Sequence, residues 1–162
     1  MRDLAAGIVA VLLLLVAASL ATTLRSYRRR RQQARDSERA LGRVVIAELP
    51  TADDLVLVSQ DDHRFYYGER AIAKDLITAV RVLINGSPIA SSVSRRHAAS
   101  TPPPTSFEDL PEGIARDRWD VAVETVAGTT LIECGAIRER VSQELARTVF
   151  DAIKKDLEQR DR

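Results

Sequence analysis

The chain opens with its longest apolar run. From Leu4 to Leu24 there are twenty-one positions without a charge, and Arg25, Arg28, Arg29, Arg30 and Arg31 follow closely. A helix of that length covers about 31 Å at 1.5 Å per residue, close to the thickness of bilayer hydrocarbon. A helix apolar on all sides needs lipid or protein around it, so residues 1–24 are expected to form a transmembrane anchor. Residues 25–40 follow as a basic, helix-compatible juxtamembrane stalk, because Gln32, Gln33, Arg35, Asp36 and Glu38 leave no apolar stripe for a coiled coil.

After Gly42 the period changes to that of strands. Arg43–Leu49 closes at Pro50, Leu55–Ser59 is a second β-branched run, and Arg64–Tyr67 with Arg70–Ala73 makes a short pair, with Asp61-Asp62 and Gly68 as turns. Ala79–Ile84 alternates Val80, Val82 and Ile84 against Ala79, Arg81 and Leu83, then meets Asn85-Gly86, the pair that favours a type I′ hairpin turn. Ser87–Ser94 would be the returning strand. A rival reading stays open here: Ile72, Leu76, Ala79, Val80 and Leu83 also share one helical face, with Asn-Gly as the cap.

Residues 95–118, with Pro102-Pro103-Pro104, read as a long proline-rich loop. Trp119–Val126, the turn Ala127-Gly128 and Thr129–Cys134 form a second hairpin. A closing amphipathic helix follows, with Ile137, Val141, Leu145, Val149, Ile153 and Leu157 every four residues and Ala146 and Phe150 widening the stripe.

Charge divides the chain at the same place as pattern. Residues 1–40 hold eight Arg against three acidic residues, net +5, and residues 41–162 hold sixteen Lys plus Arg against twenty acidic residues, net −4, which together give the total of +1. A soluble part with negative net charge and no basic run does not fit nucleic-acid binding, where phosphate neutralisation supplies most of the affinity. By the positive-inside rule the arginines place the amino terminus outside and the domain at 41–162 in the cytoplasm. Arg25, Arg28, Arg29, Arg30, Arg31 and Arg35 are then the residues expected to touch anionic lipid headgroups, at about 1 kcal/mol each. The competing reading is a cleaved signal peptide ending near Ser19-Leu20-Ala21, with an exported product. Against it stand the length of the run and the position of the charge, which follows the apolar stretch instead of preceding it.

Few residues offer chemistry. Cys134 is the only cysteine and sits among apolar neighbours, which suits a reduced compartment and a packing role. His63 and His97 lack metal-ligand spacing. Ser59, Ser87 and Ser100 lie in no nucleophile elbow, and the seven glycines build no phosphate loop. Asp53-Asp54 and Asp61-Asp62 read as turn residues before they read as a cation site, since successive side chains in extended backbone point to opposite faces. The expectation is therefore of no enzyme, no cofactor and no metal.

The order of elements over residues 41–162, with the Asn85-Gly86 hairpin, the pair Trp119–Val126 and Thr129–Cys134 around Ala127-Gly128, and one terminal helix, resembles the bacterial pleckstrin-homology-like domain. The resemblance implies an α+β fold, a small antiparallel sheet or barrel closed by a carboxyl-terminal helix, and a binding or assembly role at a membrane. It supplies no ligand residues, because Asp53, Asp54, Asp61 and Asp62 stand where a basic headgroup pocket would be needed. The expected protein is thus a single-pass membrane-anchored interaction module, held by the bilayer through residues 4–24 and engaging a protein partner. The alternative is a tethered domain with a small molecule or lipid in a sheet-helix cleft.

Overall fold

The computed structural model describes residues 2–50, 55–96 and 117–162, with side chains from Leu13 onward. Asp53-Asp54, His97, Ser100, the three prolines and most of the 95–118 loop lie outside the described residues, as do the side chains of the first part of the expected anchor. The chain divides into two compact units, Met1–Ala40 and Leu41–Arg162.

The first unit is one continuous helix, α1 (Arg2–Ala40), of 39 residues. Its hydroxyl side chains turn back on the helix: Thr22 Oγ1 and Thr23 Oγ1 donate to the Ser19 carbonyl at 2.8 and 2.9 Å. Gly42, with φ +73°, follows the helix end, a position suited to a residue without Cβ. The transmembrane reading of residues 4–24 is overturned, and with it the single-pass topology and the assignment of the domain to the cytoplasm. Among the described residues, no helix is long and apolar enough to cross a membrane.

The second unit holds eight described strands and one long helix. β1 (Val44–Pro50), β2 (Leu55–Gln60), β3 (Arg64–Tyr67) and β4 (Arg70–Ala73) form one antiparallel sheet in that order. After a 3₁₀ turn at Lys74–Leu76 come β5 (Ile77–Ile84), β6 (Ser87–Val93), β7 (Arg118–Thr125) and β8 (Gly128–Ala136), which form a second sheet in the order β6-β5-β7-β8. The helix α2 (Arg140–Arg160) ends the fold.

The expectation of a single small sheet or barrel is corrected here. The fold is α+β, but its strands make two four-stranded antiparallel sheets and no closed barrel. The break lies at Lys74–Leu76, whose turn carries the chain from β4 to β5 without pairing them.

The helical rival over Ala71–Leu83 loses to the strand reading. Asn85 (φ +52°) and Gly86 (φ +80°) both adopt positive φ, which a type I′ turn requires. The Asn85 side chain also fixes where β7 begins, because its Oδ1 accepts from the Asp117 and Arg118 amides at 2.6 and 3.3 Å.

One core joins both sheets and the helix. Leu49, Val58, Phe65 and Ile72 of the first sheet meet Val80, Val82, Val121, Val123 and Ile132 of the second beneath Val149, Phe150, Ile153 and Leu157 of α2. The buried stripe of α2 is Ser142, Ala146, Val149, Phe150, Ile153 and Leu157, whereas Val141 is 61% exposed. A row spaced strictly by four drifts around a helix of 3.6 residues per turn, so within the expected row Val141 turns outward, Ile137 and Leu145 pack half-buried against the core, and Val149, Ile153 and Leu157 lie inside it.

Candidate functional site

Arg25, Arg28, Arg29, Arg30, Arg31 and Arg35 all lie on α1 with exposed side chains. Four of them are consecutive, and steps of about 100° per residue distribute them around the helix instead of along one face.

The other residues of chemical interest are mostly structural. Asp61 closes the β2–β3 turn: its Oδ1 accepts from the His63 and Arg64 amides at 2.8 and 2.7 Å, and its Oδ2 accepts from the Tyr66 hydroxyl at 2.7 Å. The Tyr66 hydroxyl and the amide donors hold the Asp61 carboxyl down at about 2. The Tyr66 ring in turn carries the Arg43 guanidinium at 3.6 Å. Cys134 is buried, and burial pushes its thiol up to about 12, out of the reactive range. Ser59 is buried on β2, and His63 is exposed in its turn. No group of His, Cys, Asp and Glu among the described residues could hold a metal ion.

Three charged clusters that sequence reading does not reveal are buried in the second unit. Lys74 Nζ lies 3.2 Å from Asp156 of α2, donates to Gln60 Oε1 at 3.2 Å and stands 4.7 Å over the Phe65 ring. Arg160 joins the cluster through Asp156 at 2.7 Å and donates to the Lys74 carbonyl. On the face of the second sheet away from the core, Arg81 Nε meets Glu124 Oε1 at 2.5 Å, with both side chains buried. Nearby on β7, Arg118 Nε approaches Asp120 Oδ1 at 2.7 Å without hydrogen-bond alignment, and Arg118 Nη1 reaches Glu133 at 3.0 Å. Burial raises the Asp120 carboxyl above the usual range, against the pull of Arg118. Ala79, Leu83 and Ala122 share that face and are fully buried outside the core cluster, so β5 and β7 are closed to solvent on both sides. The available signal is the run of small and apolar residues on both faces, interrupted by Thr78, Arg81, Asp120 and Glu124. These clusters tie elements together.

The open feature is β6. Among the described residues it pairs with β5 alone. Its sequence, Ser87-Pro88-Ile89-Ala90-Ser91-Ser92-Val93, carries no charge, and exposure alternates, with Ile89 at 56% and Val93 at 38%. The Ser94 amide donates to the Thr78 carbonyl at 2.8 Å. In an antiparallel ladder the direction of these bonds alternates by residue, so Ser92 faces β5 with its backbone groups while Ser91 and Val93 turn theirs to the open edge.

The edge is held in place at its exit. Asp161, just past α2, accepts from Ser94 Oγ at 2.9 Å and from the Arg95 amide at 2.7 Å. Burial alone would raise this carboxyl, but the bonds from Arg95 and Ser94 outweigh it and keep the group below its ordinary value. Beside the clamp a groove of about 300 Å³ opens between the strand and the helix end, lined by Ser92, Val93, Arg95, Leu157, Glu158 and Asp161. Its size lies at the lower end of the range for ligand pockets, about 300 Å³ upward, and suits a side chain better than a whole cofactor. No family model, curated protein or solved structure matches the chain.

Proposed function

We propose that residues 41–162 form a non-catalytic interaction module that takes an extended segment of a partner protein alongside β6. The carrying observation is the uncharged, exposed edge whose Ser91 and Val93 backbone groups point away from β5. An unpaired edge is a template for another strand, and native proteins ordinarily blunt such edges with charge. In strand addition the backbone bonds supply affinity and alternate side-chain pockets supply choice. Here Ile89 and Val93 offer apolar contact, and the adjoining groove receives one side chain of the added strand. The element order that resembles the pleckstrin-homology-like domain supports a binding role over a catalytic one.

A display library of random extended peptides screened against the full chain tests this reading. Bound peptides should slow hydrogen exchange at the Ser91 and Val93 amides. Protection that maps elsewhere, or a library that enriches no binder, overturns it.

A further inference from the structure

We infer that the groove at the exit of β6 is a carboxylate site, filled by an acidic side chain or a free carboxyl end of the docked segment. The inference rests on the proposed docking at β6 for the source of that carboxylate, while the groove and its charges stand apart from the edge.

Four charged side chains line the groove, Arg95 and Arg162 against Glu158 and Asp161. Counted alone they cancel, yet the two signs are not equally engaged. Asp161 accepts from Ser94 Oγ at 2.9 Å and from the Arg95 amide at 2.7 Å, and the Arg96 guanidinium stands 3.9 Å from it. Glu158 faces Lys154 at 3.8 Å, one turn back along α2. Each carboxylate is thus met by a cation that is not part of the lining. The guanidiniums of Arg95 and Arg162 have no ion-pair partner among the described residues, so the uncommitted charge of the groove is positive.

Size and chemistry narrow the occupant. A space of about 300 Å³ admits one side chain or one chain end. A planar guanidinium presents paired N–H donors that match the two oxygens of a carboxylate. Phosphate fits less well, because it would bring nearly two negative charges towards Glu158 and Asp161, where a carboxylate brings one. Val93 and Leu157 in the lining give apolar contact to the methylenes that carry the charge, which favours Glu over the shorter Asp. Val93 also belongs to the open strand, so a segment paired with the end of β6 brings a side chain or its own terminus to the groove.

Butyrate and its uncharged counterpart butyramide, added separately to the isotope-labelled full chain, test the groove without any peptide. Butyrate should shift the amide resonances of Val93, Arg95 and Asp161, and butyramide should leave them in place. Arg95→Gln combined with Arg162→Gln should abolish the butyrate shifts. Arg147→Gln, which removes an exposed cation on α2 outside the groove, should keep them. Equal shifts from both compounds, or butyrate shifts that survive the double substitution, overturn the inference. Displayed peptides then name the source. A library fused at both ends that enriches Asp or Glu at one position assigns a side chain, and enrichment only when the carboxyl end is free assigns the terminus. In a peptide enriched for Glu, exchange of that residue for Gln should weaken binding about tenfold, and less at high salt. Butyrate shifts without peptide protection of β6 would leave the carboxylate site and remove the docking edge. Protection of Ser91 and Val93 without a butyrate response would do the reverse.

Discussion

Asp120 shows how a single carboxyl can work against the fold that contains it. It is fully buried beside the Arg118 guanidinium at 2.7 Å, and burial raises its affinity for a proton in the folded state despite that neighbour. A raised folded value means that the native chain binds this proton more tightly than the unfolded chain. Its contribution therefore favours folding at low pH and is lost as pH rises from the ordinary carboxylate range through the raised value. Asp120→Asn should remove that slope and leave stability at pH 7 unchanged or higher by about 1 kcal/mol, since Arg118 retains Glu133. Urea titrations of both chains at several pH values check this, and a variant clearly weaker at pH 7 refutes it. Gly135 makes the opposite kind of demand. At φ +113° it sits where an added Cβ would lie 2.4 Å from Ser142 Oγ, so Gly135→Ala should cost about 2–4 kcal/mol by strain and crowding together. Thermal unfolding of the variant reads that loss. Nothing in the sequence distinguishes Gly135 from the other glycines, because the constraint comes from a residue on the helix that follows.

At the level of elements, local signals were legible and pairings between distant segments were not. Asn85-Gly86 announces its hairpin because the turn chemistry is carried by the two residues themselves. The closing helix is visible from its period, although its inner face had to be set by the sheets it covers. Arg81 shares its face of an alternating strand with Ala79 and Leu83 and is buried there against Glu124, a partner that sequence spacing cannot indicate. The division into two sheets was hidden in the same way, since it depends on a three-residue turn that brings Lys74 under α2. That turn is held by charge: Lys74→Met should weaken the fold by about 2 kcal/mol through loss of the Asp156 and Gln60 contacts, moderated by Arg160 staying on Asp156. Chemical denaturation measures the change, and a Lys74→Met chain as stable as the native one would show the pair to be energetically idle.

For the whole molecule, every residue of the core cluster falls between Ala47 and Leu157. Residues 41–162 alone should therefore unfold in one cooperative transition, with fluorescence of Trp119 and circular dichroism of the strands and α2 losing signal together; separate midpoints would contradict a single core. The uncharged front of the chain, so suggestive as a string of letters, gave an expectation of membrane crossing that the described helices do not support. The domain beyond it depends on no such inference. Its last helical turn has a further consequence. Asp161 grips the exit of the open strand while its neighbour Arg160 grips the Lys74 carbonyl at the joint between the sheets. A pull on β6 is thus passed through two adjacent side chains to the joint between the sheets, making the tail of α2 a tie rod that spreads mechanical load across the domain.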